Sequence, residues 1–216
     1  MAQTELFEEL SKNIQQAEHA LLDGINNTLD TQEENIENTL DEQNESEKYR
    51  IRSYILLAHA EFEYYIEKIS LDILDKKCSS LANNKNEIVF LTMFSHWYYT
   101  KKFINYGERQ KNDHIKHIKD STSKNEAFLS DARRAYENFI NSNNGIRGSE
   151  ELFLPLGIQL DAVLIGNMDS FGVNRGDFAH KSHSAVTKYI SVNNAKEMVN
   201  NILKDLKDFD ATVCSS

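Results

Sequence analysis

The chain has 216 residues with 34 acidic and 24 basic side chains, seven histidines and a formal net charge of −10. That length excludes a mini-protein dependent on staples, and two cysteines without partner spacing, Cys78 and Cys214, exclude a disulfide framework and point to a reducing compartment. One proline and eight glycines among abundant Leu, Ile, Ala, Glu, Lys and Asn leave few helix breakers, so an all-α fold is expected.

The N-terminus, MAQTELFEEL, is acidic and lacks the apolar core of a signal peptide. Residues 1–47 hold thirteen acidic side chains and one basic, which leaves 21 acidic and 23 basic for the rest. The acidity is therefore local. From Phe7 the apolar positions run Leu10, Ile14, Ala17, Leu21, Ile25 and Leu29, then Ile36 and Leu40, near a 3.5-residue repeat. This predicts an acidic amphipathic helical arm over 1–47, broken or not at Gly24 and Asn26-Asn27, packed on the rest of the chain or on a second copy. A helical domain is expected over 48–212.

A second helix is predicted from Ser46, as cap, to about Cys78. Tyr54, Leu57, Ala58, Glu61, Tyr65 and Lys68 mark one side, and Ile55, Phe62, Ile66, Ile69 and Ile73 another, as in a central helix. His59 and Glu63 share a face and read either as a polar wall of an active site or as a core histidine beside an ordinary surface acid. A third helix spans Glu87 to Ile104, with Phe90, Phe94, Trp97, Tyr98 and Phe103; its length favours helix over the strand its composition also allows. The longest uncharged run, Ile88 to Thr100, is too short to cross a bilayer, so a cytoplasmic protein with no membrane partner is expected.

Lys101 to Lys119 carries six basic and two acidic side chains, either a solvated loop or a track for RNA phosphates. His114 and His117 lie within it, but two histidines with no third ligand nearby do not make a metal site, and neither metal nor cofactor is expected. Asn125 to Asn141 is a helix with Phe128, Ala132, Tyr136 and Phe139 inward, stopped by Asn143-Asn144-Gly145. Pro155 suits the first turn of a helix over Leu156 to Met168, after which a Phe171-Gly172 corner leads to Arg175. Ser191 caps the last helix, whose stripe is Ala195, Met198, Ile202, Leu206 and Phe209.

The segment Asn174-Arg175-Gly176-Asp177-Phe178-Ala179-His180-Lys181-Ser182-His183 sets a permanent cation five residues before an imidazole, with Phe178 and Ala179 to seat it on a core. Arg109 to His114 repeats the spacing with only polar residues between its ends and nothing to anchor it. If the first segment is helical, Arg175 and His180 lie about 140° apart around the axis and about 7.5 Å along it. Two such helices facing each other across a two-fold axis would bring two Arg and two His into one cleft.

The string RGDFAHKS, late in a helical chain with SYILLAHAEFEYYIEKI in an early helix, resembles the HEPN superfamily, in particular the bacterial groups related to RiboL-PSP and MAE-type HEPN domains. The resemblance covers roughly residues 48 to 212. It implies an all-α domain that forms a homodimer and, in many members, a metal-independent ribonuclease acting as a toxin or in phage defence, with a neutralising or defence-system partner protein. Arg175 and His180 match its R-x4-H motif. Gly176 stands where many members have a polar residue, and Ser182 where the subgroup silenced by nucleotidylation has Tyr, which argues against that control.

Imidazole can take the proton of a 2′-hydroxyl and deliver one to a departing 5′-oxygen, while guanidinium grips two oxygens of a crowded phosphorane. The expected catalytic residues are therefore Arg175 and His180, with Asp177 orienting the imidazole and His183 sharing the proton traffic. Lys181, Lys101 and Lys102 are the expected RNA contacts. A binding module that holds RNA, nucleotide or a partner protein without cleaving is the alternative, and a helical adaptor dimerising through the acidic arm a third. No glycine-rich phosphate loop, nucleophile elbow or HExxH is present.

Overall fold

The computed structural model of the chain describes residues 3–25, 41–82, 88–103, 125–142, 150–180 and 190–214. These residues are overwhelmingly helical and contain no strand, in keeping with the all-α expectation. The helices are α1 (Glu5–Leu22), α2 (Asp41–Ala82), α3 (Ile88–Phe103), α4 (Asn125–Ser142), α5 (Glu150–Phe153) with a 3-10 turn over Leu154–Leu156, α6 (Ala162–His180) and α7 (Val192–Cys214). They divide into two compact units, Met1–Ile66 with Gly145–Gly148 and Leu160–Ser216, and Glu67–Asn144 with Ser149–Gln159.

In the first unit α1 starts at Thr4, whose hydroxyl accepts the Phe7 N–H at 3.1 Å, and Glu5 and Glu8 suit the positive end of the helix. It stops before Gly24, which sits at φ 74° where a side chain would be strained. Phe7, Leu10, Ile14 and Leu22 are buried. The 3.5-residue pattern puts Leu21 inward, but Leu22 is buried and Leu21 only half-buried. Asp210, fully buried on α7, accepts from the Thr4 N–H at 2.8 Å, the Thr4 hydroxyl at 2.6 Å and the Tyr65 hydroxyl at 2.9 Å. One carboxylate thus joins α1, α2 and α7.

α2 begins at Asp41, five residues before the expected Ser46, and its inward residues in this unit are Ile51, Tyr54, Ile55, Ala58, Phe62, Tyr65 and Ile66. Leu57, expected on a packed side, is 49 % exposed instead, because a single 3.6-residue stripe takes its neighbours inward and leaves it outside. α7 starts where Ser191 accepts the Asn194 N–H at 3.1 Å, as expected, and buries Ala195, Val199, Ile202 and Leu206.

In the second unit α3 is a helix and not a strand, and its aromatic residues form a core of their own. Trp97 lies parallel to Phe94 (centroids 5.7 Å, 8° between planes) and edge-on to Tyr136 of α4 (5.3 Å, 72°). The Tyr136 hydroxyl donates to the Leu152 carbonyl at 2.5 Å, and burial raises its pKa. Pro155 does not open the long helix expected over Leu156 to Met168. It sits in the 3-10 turn, which Gly157 ends at φ 74° with its N–H donating to the Leu154 carbonyl at 3.0 Å. The positive φ favours glycine there, and a Cβ would also lie 3.3 Å from Val89 Cγ1.

Candidate functional site at the end of helix α6

α6 begins at Asp161, whose carboxylate accepts the Val163 N–H at 2.8 Å and whose carbonyl accepts the Ile165 N–H at 3.1 Å. The corner expected at Phe171-Gly172 does not exist: both residues are buried within an unbroken helix that carries the motif to His180. An Asp directly before an apolar run is the signal that marks this start in the sequence.

Leu164, Met168 and Phe171 form the inward side of α6. Phe171 meets Phe62 of α2 edge-on at 5.7 Å and lies nearly parallel to the imidazole of His59, with centroids 6.2 Å apart and 13° between planes. Asn174, 5 % exposed, donates through Nδ2 to the Ser170 carbonyl at 3.2 Å and approaches Met198 Sδ of α7 at 3.9 Å. Asn167 Nδ2 donates to Asp205 Oδ2 at 2.7 Å and ties the same two helices nearer the start of α6. These contacts fix the rotation of α6 about its own axis.

That rotation decides where the motif residues fall. Arg175 lies about 40° around the helix from Phe171, on the inward side, and is half-buried. Its charge is felt by His59, which is 3 % exposed and has its pKa pushed down to about 4, chiefly by burial and secondly by Arg175. His59 Nδ1 stands 3.7 Å from Glu63 Oε2, too long for a hydrogen bond. Of the two sequence readings of His59, the structure shows the core histidine, close enough to Arg175 to feel its charge.

The outward side of α6 holds Val163, 62 % exposed, and Val173, 47 % exposed, with Gly166 and Gly176 opening onto free space. Position 180 falls in register with Val173, seven residues and about 20° away, while Arg175 is turned about 140° from it. Asp177, half-buried, shares the outward half with position 180 at i, i+3 spacing. His180 closes α6, and its side chain lies outside the described part of the structure, as do Lys181 and His183. Lys101 and Lys102 occupy the last turn of α3 in the second unit, again with side chains outside the described part, and His114 and His117 lie outside the described residues altogether.

Sequence reasoning missed Arg52. Its guanidinium carbon sits 5.5 Å over the ring of Phe178, so α2 adds a second cation to the C-terminal end of α6, where the helix dipole favours positive charge. The available signal was its spacing, seven residues before His59 and hence on the same face of α2. Among the described residues no three His, Cys, Asp or Glu side chains gather as a metal site, and no helix is long and apolar enough to cross a membrane.

The RiboL-PSP-HEPN family model matches residues 8–214. Comparison with curated proteins and with solved structures returns no match.

Proposed function

The chain belongs to the RiboL-PSP-HEPN family, and on that footing we propose that it is a metal-independent endoribonuclease, of toxin or phage-defence type, whose active site forms between two copies of the chain. The observation that carries this reading is the divergence of the motif on α6. Arg175 lies on the inward side, near enough for His59 to feel its charge, whereas position 180 shares a face with exposed Val173 and open Gly166. One copy cannot close both groups on one phosphate. A two-fold dimer through the C-terminal end of α6, where half-buried Arg175 and position 180 both lie, brings a second copy of each group to one cleft.

In the composite cleft a neutral His180 takes the proton of the 2′-hydroxyl while that oxygen attacks phosphorus. The P–O5′ bond breaks, an imidazolium delivers a proton to the leaving 5′-oxygen, and the products are a 2′,3′-cyclic phosphate and a 5′-hydroxyl. Arg175 faces the phosphorane and stabilises its extra negative charge with paired N–H donors. The neutral state of His59 fits this task, because a second buried cation beside Arg175 would push the guanidinium away. Asp177 orients the His180 imidazole, and His183 relays protons to solvent. Arg52 and Lys181 hold flanking phosphates by charge.

The test is cleavage of mixed RNA by the purified protein in EDTA, beside His180→Ala, with product ends identified. Cyclic phosphate ends made by the native chain and absent from the variant are expected. No cleavage by either protein would favour a module that binds RNA without cutting it, and equal cleavage by both would remove His180 from the mechanism.

A further inference from the structure

Helix α2 carries on its open side a strip that the nuclease reading does not use. Tyr49, Leu57 and Tyr64 are 55 %, 49 % and 47 % exposed, and Ser53 and Ala60, also exposed, fall between them at spacings of three and four. Large apolar and aromatic groups in line over about four turns form a continuous face rather than scattered exposure. Leu57 and Tyr64 stand about 140–160° around α2 from His59 and Phe62, whose rings meet Phe171 of α6, so the strip is a different surface from the end of α6.

The order of residues along this strip is complementary to itself. Counted outward from the step between Leu56 and Leu57, Ser53 matches Ala60, Arg52 matches Glu61, Arg50 matches Glu63 and Tyr49 matches Tyr64. Each charge meets the opposite sign, small meets small, and tyrosine meets tyrosine. The two edges are matched as well. Arg50 and Glu61 lie on the α1 side, where Arg50 donates to the Asp23 carbonyl at 2.6 Å and Glu61 accepts from Asn13 Nδ2 at 2.9 Å. Arg52 and Glu63 lie on the α6 side, over Phe178 and beside His59.

We propose that the strip binds the same strip of a second copy, antiparallel, about a two-fold axis passing between Leu56 and Leu57. That symmetry lays each edge against the same edge of the partner. Arg52 then faces the partner's Glu63 and Arg50 the partner's Glu61, each within about 3 Å of level along the helix. Ser53 against the partner's Ala60 lets the two helices approach to about 8 Å. A parallel pairing would set Arg on Arg and Glu on Glu, so the charges select the antiparallel one. One helix-on-helix contact of this length is small beside the roughly 1,600 Å² of a standard interface, so it is weak and joins copies as concentration rises.

The experiment is disulfide trapping in the full chain carrying Cys78→Ser and Cys214→Ser, oxidised by copper phenanthroline and read by non-reducing electrophoresis, with folding checked by circular dichroism. Leu57→Cys should link to its own copy, because the axis brings the two positions within about 1.5 Å of level. Ser53→Cys alone should not, since its two copies stand about 10 Å apart along the helix, beyond disulfide reach, and neither should Ala60→Cys; mixed together the two should link. Arg50→Glu should lower the Leu57→Cys yield at least about fivefold, and Glu61→Arg added to it should restore the yield. No link through Leu57→Cys assigns the strip to a different protein and overturns the proposal. Self-linking of Ser53→Cys as fast as the mixture, or a yield that Arg50→Glu leaves unchanged, overturns it too. No cleavage is read and α6 is untouched, so the result is independent of whether the chain is a nuclease.

Discussion

His59 lies almost parallel to Phe171, with ring centroids 6.2 Å apart, and Phe171 stands one helical turn before the motif cation Arg175, whose charge the neutral imidazole feels. The pair ties the stability of the first unit to the geometry of the site. Burial strips solvent from a charge on His59, and Arg175 opposes one. Glu63, at 3.7 Å and on the same helix, is a nearby group that would favour it, and it does not prevail over burial.

A pH-dependent stability follows. The unfolded chain protonates His59 near its ordinary value of 6.5, the folded chain only near about 4. Between those values the unfolded state binds more protons, so stability is full above about 6.5 and declines as pH falls towards 4, by about 3 kcal/mol in total. Urea unfolding at stepped pH should show that decline in the native chain and a flatter profile in His59→Phe, which keeps the ring against Phe171. Parallel profiles would mean that His59 is not the titrating group.

Composite construction predicts complementation. Arg175→Ala and His180→Ala should each be inactive as homodimers, with losses of at least about 10². A co-expressed mixture should recover activity, since a mixed dimer keeps one arginine and one histidine in its cleft. A mixture as inactive as its parents would indicate that both groups must come from one chain.

The outward face of α6 should be the surface through which copies meet. Val173→Glu places a charge on an exposed apolar position, harmless to a monomer and unfavourable in a packed interface. Sedimentation should show a dimer for the native chain and a monomer for the variant, with circular dichroism unchanged. A native monomer, or a variant dimer, would move the interface elsewhere.

Gly176 offers a test of opposite sign. It lies within α6 at no special φ, and a Cβ there meets nothing within 4 Å. In the isolated chain Gly176→Ala should stabilise the helix by about 0.5–1 kcal/mol. Measured in dilute solution, where copies separate, the melting temperature should rise by a few degrees; a fall would mean that the small residue is needed for contact.

Asp210 is the structural counterpart of these site residues. Asp210→Ala leaves the Thr4 N–H and the Tyr65 hydroxyl without their acceptor and should cost about 2–4 kcal/mol. Thr4→Val removes one bond to Asp210 and the helix cap, and should cost about 1–2 kcal/mol. If Thr4→Val costs nothing, α1 is not held through this node.

The Ser191 cap of α7, with Ala195, Ile202 and Leu206 of its stripe, and the helical state of α3 are legible in the amino-acid sequence, although Met198 and Phe209 of that stripe are only half-buried and Val199 is buried instead. Each is a local property, written in residues within one or two turns of each other. Departures arise where a distant partner decides. Leu57 reads as inward by periodicity alone, and it is the packing on α2 that selects a single stripe and leaves it outside. Phe171-Gly172 reads as a corner because glycine weakens a helix, yet packing of Phe171 on Phe62 and His59 outweighs the ~1 kcal/mol that glycine costs.

The helical class, the bounds of α3 and α4, the start of α7, and an arginine and a histidine five residues apart all follow from the order of residues, because periodicity, capping and motif spacing are short-range. Three features do not: Arg175 faces inward to a neutral His59, Arg52 joins the same end of α6, and position 180 shares an exposed face with Val173. These depend on tertiary packing. The rotation of a helix about its axis is set by the residues it packs against, here Phe62, His59, Met198 and Asp205, and these lie far from the motif in the chain.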